Sequence, residues 1–268
     1  MTMKKVWEEA KQTLNSWSFS KLIIFEECKY RAKLQWLDKV PDLQPKTAAD
    51  RGTQIHQEAE DYVLGKSGLT HNLRHFEDDL AALAQHAKSG RVTCEQEWGF
   101  DDQWNPVEWR RAWLRLKADA VCHLDATHAV VVDFKSGRRF GNEIKHARQL
   151  QLYAVCALIL YPNLEQVTCE LWYLDQNELA DFTMKRSQLK KYLKIFDKAG
   201  IEFTTESEFK PNANLYSCAY CPYRPDRQGD CAYGHTPSSD LNKSSSPQTD
   251  FSKLKPLALD MDEYKGRV

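Results

Sequence analysis

Two aspartates and a lysine are the residues of this chain whose spacing points most directly to chemistry. Asp133, Phe134 and Lys135 end the run HAVVVDFK, and Asp119 stands upstream in LKADAV. In a strand, residues two apart share a face, so Asp133 and Lys135 project to one side at the end of an apolar run. If the preceding segment pairs antiparallel with Asp119 opposite Asp133, the turn centres on residue 126. The loop must then be odd, about three or five residues, or carry a bulge; an even loop without one sends Asp119 to the wrong face. With the right register, two carboxylates and an ammonium converge. Carboxylates that close repel unless a divalent cation holds them, and hard oxygen ligands suit Mg²⁺ or Mn²⁺. Such an ion polarises a phosphate and lowers the pKa of a bound water. Lys135 would stabilise the added negative charge or orient the water. The backbone carbonyl of Phe134, between the two side chains, is a further candidate ligand. Taken alone, D-x-K also describes an ordinary ion pair at a strand end.

A second group is Cys218, Cys221 and Cys231, spaced C-x2-C-x9-C in CAYCPYRPDRQGDC. Three thiolates need a fourth ligand, whether for tetrahedral Zn²⁺ or for an iron–sulfur cube. Cys28, far upstream in FEECKYRAKLQWL, is the candidate, with His235 as the alternative. The remaining cysteines, Cys94, Cys122, Cys156 and Cys169, stand singly in apolar or strand-like segments and read as small buried hydrophobes.

These residues need a scaffold, and the 268 residues, 42% hydrophobic, suffice for a sizeable core. With 37 Lys and Arg against 38 Asp and Glu, a globally basic protein is excluded. Nucleic acid then requires local grouping of charge. Candidate groups are Arg110, Arg111, Arg115 and Lys117; Arg138, Arg139, Lys145 and Arg148; and Lys190, Lys191 and Lys194. Trp109, Trp113 and Tyr220 either stack on bases or belong to the core. No apolar run approaches the roughly 20 residues of a membrane helix, and none follows the N-terminal lysines. A cytoplasmic location (host cytoplasm if viral) is expected, where clustered cysteines bind metals rather than form disulfides.

The periodicity predicts helix over residues 1–38 with Ser20 as an N-cap, then helices over about 48–64 and 75–88. Strands follow at 91–100, 109–124 and 128–135, then a helix at about 146–160, strands at 166–175 and 178–184, and a helix at about 187–203. Residues 211–235 are irregular, and from 236 the composition becomes that of a linker and disordered tail. The order implies an α/β domain with a mixed central sheet flanked by helices.

Four of these segments, in this order, resemble the PD-(D/E)xK nucleases in their RecB-like branch. That branch includes CRISPR-associated adaptation exonucleases, AddB-type nuclease domains and phage RecB-like exonucleases. RGTQIHQEAE resembles the G-x-x-x-H helix through Gly52 and His56; LKADAV and VVVDFKSG resemble the two acidic strands; QLQLY matches Q-x-x-x-Y through Gln149 and Tyr153. One departure is Leu116, where the family often has glycine. The resemblance implies a restriction-endonuclease-like core and a metal-dependent DNA exonuclease acting on ends or single strands. It implies Mg²⁺ or Mn²⁺ on His56, Asp119, Asp133 and the Phe134 carbonyl, with Lys135, Asp119 and Asp133 catalytic. Glu60, one turn from His56, is a candidate to orient it. Gln149, Tyr153, Arg138 and Arg139 would position DNA. Cys28, Cys218, Cys221 and Cys231 would hold a [4Fe–4S] cluster, with Zn²⁺ the alternative, joining the N- and C-terminal segments. Residues 1–235 would then form one nuclease domain, with a core at about 48–205 and cluster segments at 18–38 and 211–235. Residues 236–268 would be a linker and a tail, open to other recombination, replication or CRISPR-adaptation proteins. Two other readings are a non-catalytic DNA-binding module with the same fold and a zinc-stapled interaction protein. An acid pair that repels phosphate argues against the first.

Overall fold

The computed structural model describes residues 12–45, 47–137, 139–229 and 231–234. The expected linker and tail, His235 and Arg138 lie outside the described residues. In chain order the elements are α1 (Phe19–Glu27), α2 (Lys29–Trp36), α3 (Thr47–Val63), α4 (Glu77–Lys88), β1 (Val92–Phe100), β2 (Leu114–His123) and β3 (His128–Lys135). They continue with α5 (Glu143–Leu160), β4 (Gln166–Tyr173), β5 (Glu178–Lys185), α6 (Leu189–Thr205) and α7 (Leu215–Ala219).

The strands form one sheet in the order β1-β2-β3-β4-β5. Neighbours are antiparallel except β3 and β4, which are parallel. A parallel pair cannot be closed by a tight turn, and α5 is the crossover that joins it. Helices cover both faces, as the mixed α/β reading requires. On one face α1, α5 and α6 enclose a core that includes Trp17, Trp98, Tyr153, Phe196 and Phe203. On the other, α3 and α4 pack Ile55, Ala59 and Leu80 against Val132, Phe134 and Trp172. The alternation of β3 divides its side chains between these faces: Ala129 and Val131 on the α5 side, Val132 and Phe134 on the α3 side. No helix among the described residues is long and apolar enough to cross a membrane.

Two expectations need correction. The continuous N-terminal helix is broken at Cys28, whose backbone is extended (φ −160°, ψ 108°), and the cap is Ser18, not Ser20. Residues 12–16 are not helical; Leu14 and Trp17 are buried there, and Trp17 bonds to the Trp113 carbonyl at 2.7 Å. The strand expected at 109–124 starts only at Leu114, because Trp109–Arg111 form a 3-10 turn. Its alternation of tryptophan and arginine mimics a strand. Trp113 instead packs edge-on against Trp17 at 5.4 Å, which removes it from the base-stacking candidates.

Residues 211–234 dock on α2 through a small cluster, Leu34, Cys221 and Tyr223. The Tyr223 hydroxyl donates to the Val40 carbonyl at 3.2 Å, and the Gln44 amide donates to the Arg227 carbonyl at 3.0 Å. The α2 region and residues 211–234 therefore meet, on little apolar surface of their own.

Candidate active site

The hairpin of β2 and β3 sets the acid pair. Ala120 lies opposite Val132, Cys122 opposite Val130 and His123 opposite Ala129. The amides of Leu124 and Asp125 both donate to the His128 carbonyl, so the turn is Asp125 to Thr127, odd as required. Asp125 Oδ1 closes it by accepting from the Thr127 amide at 2.7 Å and the His128 amide at 2.9 Å. One more step along this register puts Asp119 opposite Asp133.

At that step the ladder opens. Asp119 Oδ2 accepts from the Phe134 amide at 2.7 Å, replacing the missing strand bond. Across β1, Glu95 sits in the left-handed region with φ 55°, uncommon for a residue with a Cβ. The alternation of both strands switches face there. Cys94 and Ala120 belong to the α3 side, whereas Trp98, Leu116 and Ala118 belong to the α5 side. Asp119 thus stands in a fork that opens to both faces, and helices from both faces reach the acid pair. From α3, His56 Nδ1 lies 3.2 Å from Asp119 Oδ2. From α5, Gln149 Nε2 donates to Asp133 Oδ1 at 3.1 Å, and the Tyr153 hydroxyl lies 2.8 Å from the same oxygen. Lys135 Nζ is 2.5 Å from Asp133 Oδ2, at ion-pair distance without hydrogen-bond alignment. The glycine of the G-x-x-x-H segment has a steric role: a Cβ on Gly52 would stand 3.1 Å from Ser136 Oγ, in the loop that follows β3.

Asp119 and Asp133 are 8% and 4% exposed, so neither charge is dissipated by water. Burial, and then the charge of Asp133, push the Asp119 carboxyl above its usual range, against His56 and the Phe134 amide. Burial opposes charge on His56, but its hydrogen bond to Asp119 and the charges of both acids hold its pKa above the ordinary value. Two buried carboxylates beside an imidazole form an oxygen-rich donor set that fits a hard divalent cation, and Asp133 Oδ2 has no hydrogen bond to give up.

Cys28, Cys218, Cys221 and Cys231 line one small cavity with Arg31 and Arg224 at its wall. All four are free thiols. Asn214 caps α7, accepting from the Ser217 amide at 3.0 Å, and so presents Cys218 and Cys221 at the end of that short helix. The break at Cys28 turns its sulfur towards the Asn212 amide at 3.4 Å. Burial raises the pKa of Cys221 and Cys231 above the ordinary thiol value. Four sulfurs from segments far apart in sequence match the donor set of either zinc or an iron–sulfur cube. Among the described residues, no three His, Cys, Asp or Glu donors stand at ligating distance of one point. At the acid pair Asp119 Oδ2 meets His56 and the Phe134 amide, Asp133 Oδ1 meets Gln149 and Tyr153, and Lys135 stands beside Asp133 Oδ2.

Other sequence candidates fall elsewhere. Glu60 pairs with Lys66 at 3.6 Å and accepts from Gln57. Arg139 lies 3.6 Å from Glu178, and its amide donates to Gln176 at 3.0 Å, tying it to the turn between β4 and β5. Arg148 is buried in a two-pronged bond to Glu26 at 2.6 and 2.7 Å, so it fastens α5 to α1. Lys117 pairs with Glu95. Cys122, Cys156 and Cys169 are buried and Cys94 is partly so, as small hydrophobes.

His146, on the first turn of α5, belongs to no motif of the sequence, and its Nδ1 lies 2.6 Å from the Tyr173 hydroxyl. Burial, then the positive charges of Lys135 and Lys145, drive its pKa down to about 3. The folded ring is therefore neutral at pH 5, whereas the unfolded chain takes a proton at its ordinary value of 6.5. Stability contributed by this depression is complete above pH 6.5 and is lost as pH falls towards 3, by up to about 1.4 kcal/mol per pH unit. Denaturant titrations at pH 7 and 5 should show a smaller acid loss in His146→Gln than in the unaltered protein. Equal losses would contradict the neutral ring.

No curated protein sequence matches the chain. The solved structure of SSO0001 is 14% identical, covers 85% of this chain and 91% of its own, and superposes with a TM-score of 0.43. A protein described as a candidate exonuclease from Eubacterium rectale is 11% identical, with 86% and 94% covered and a TM-score of 0.48. The sequence profile of the PD-(D/E)XK nuclease superfamily matches residues 16–225, a span that holds the sheet, the acid pair and the D-x-K strand. The chain belongs to that superfamily, and its mixed sheet flanked by helices is the restriction-endonuclease-like core of those nucleases.

Proposed function

We propose that this nuclease is a Mg²⁺- or Mn²⁺-dependent exonuclease of the RecB-like branch, hydrolysing phosphodiester bonds at DNA ends or in single strands. The observation that carries the reading is the fork itself. Two buried carboxylates lie side by side, with a lysine on one and an imidazole on the other. A protein that only bound DNA would gain nothing from buried negative charge at such a place.

In this reading Asp119, Asp133 and His56 hold the cation. The Phe134 carbonyl joins them, because in a strand it lies on the same edge as the Phe134 amide that bonds Asp119. Bound there, the ion would polarise a phosphate and lower the pKa of its water. The chain's own side chains supply the rest. Gln149 and Tyr153 fix Asp133 Oδ1 and so hold the carboxylate plane, while the Phe134 amide fixes Asp119. His56 releases its proton to act as a ligand, so activity falls at acid pH. Lys135 turns its ammonium from Asp133 to the phosphate and stabilises the charge that grows on it.

Cys28, Cys218, Cys221 and Cys231 hold a [4Fe–4S] cluster, with zinc as the competing occupant, and it joins residues 18–38 to 211–235. Residues 1–235 then act as one nuclease domain in the cytoplasm, and the segment beyond 236 is available to partner proteins. The exonuclease assignment rests on the RecB-like resemblance of the motifs. Its test is digestion of end-labelled linear DNA beside covalently closed circles, with Mg²⁺ or Mn²⁺ and with chelator. The expected result is metal-dependent loss of the linear species alone. Cleavage of the circles would overturn exonuclease action, and survival of both would overturn DNA as the substrate.

A further inference from the structure

Lys145 occupies a place in the site that its neighbours do not explain. On α5, residues Lys145, Gln149 and Tyr153 fall at i, i+4 and i+8, one stripe of the helix. The last two of this stripe bond Asp133. Lys145 therefore stands one turn, about 6 Å along the axis, beyond the residue that grips the acid. The other cations nearby are engaged: Lys135 with Asp133, Arg31 with Glu27 at 3.2 Å, and Arg148 with Glu26. His146, beside it, bonds Tyr173. Lys145 is part-buried, yet among the described residues it makes no hydrogen bond and no ion pair. A desolvated ammonium with no anion in contact is costly, and a fold retains one most readily where an anion arrives.

We infer that Lys145 binds a substrate phosphate flanking the one that is hydrolysed, and so sets the path of the strand across the acid pair. This rests on the nuclease reading above and adds a positioning residue to it. Burial, and then Lys135 and Arg31, hold the Lys145 pKa below its ordinary value, with Glu27 opposing. A phosphate placed there would give the ammonium the contacting anion it lacks. Because Arg31 also lines the cysteine cavity, the path leads from the acid pair past the α1–α2 break.

The test compares the full-length unaltered chain with Lys145→Met and Lys145→Arg. Cleavage of single-stranded DNA gives kcat and KM, and binding of the same DNA in chelator gives Kd against salt. Lys145→Met should raise KM and Kd about tenfold with kcat nearly unchanged, because one charge-assisted contact is lost. The slope of log Kd against log salt should fall by about one, and Lys145→Arg should restore both. Unchanged Kd and slope, or a fall in kcat alone, would overturn the inference. Lys145→Gln serves if Lys145→Met does not fold. If the unaltered protein cleaves while Lys145→Met binds normally, only this inference fails. If it binds DNA without cleaving, the nuclease reading fails and the binding arm still decides Lys145.

Discussion

Asp133→Asn gives a folded protein that has lost DNA cleavage by about 10³-fold or more. The asparagine keeps an oxygen for Gln149 and Tyr153, which now fix Oδ1 at 3.1 and 2.8 Å. It places an uncharged amide where Oδ2 meets Lys135 at 2.5 Å. The pair with Lys135 is lost, but so is the repulsion from Asp119, whose carboxyl burial and Asp133 together hold above its usual range. These effects oppose each other, so stability should change by no more than about 2 kcal/mol. Cleavage has no such compensation. An amide is a poor ligand for a hard cation, and Asp119 with His56 alone leaves the site one carboxylate short. Thermal unfolding measured beside cleavage of end-labelled DNA checks both halves. A variant that unfolds at nearly the same temperature and still cuts would remove Asp133 from the catalytic set.

The second large effect lies away from the acid pair. If the four cysteines hold a metal as proposed, Cys221→Ser should leave the purified protein without it and should loosen the docking of residues 211–234 on α2. Among the described residues, the apolar cluster holding that segment has Leu34, Cys221 and Tyr223 as its buried members. So small a core cannot order two chain ends against each other, and ligand binding at such a site is folding free energy. Elemental analysis with sulfide assay, together with limited proteolysis, checks this. Iron with sulfide in the parent and neither in the variant supports the cluster; zinc in the parent supports the competing occupant. Metal content unaffected by the substitution removes Cys221 from the ligand set. Because Arg31 reaches both the cavity wall and the surroundings of Lys145, partial loss of DNA affinity should accompany loss of the metal.

Local pattern carried the sheet, the mixed topology and the core of the candidate site. The run HAVVVDFK is β3 to the residue, because a short valine-rich run bounded by a turn and a charged loop favours a strand. Parity required an odd turn or a bulge, and the turn from Asp125 to Thr127 is odd. The spacings in RGTQIHQEAE and QLQLY set His56, Gln149 and Tyr153 on helices. Nothing local, however, stated that the two helices lie on opposite faces, or that the sheet opens between β2 and β3 so that both reach one acid pair. Where the face switches, Glu95 takes φ 55°, and it comes to lie across from Asp119 only after β1 has paired with β2. The same limit applies to charge. Arg139, Arg148 and Lys145 are indistinguishable as letters in a basic loop and helix. The partners of the first two, Glu178 and Glu26, come from distant elements, and among the described residues the third has no ion-pair partner. Periodicity is a property of neighbours along the chain, whereas which charge is neutralised, and which face a strand exposes after a kink, are properties of neighbours in space.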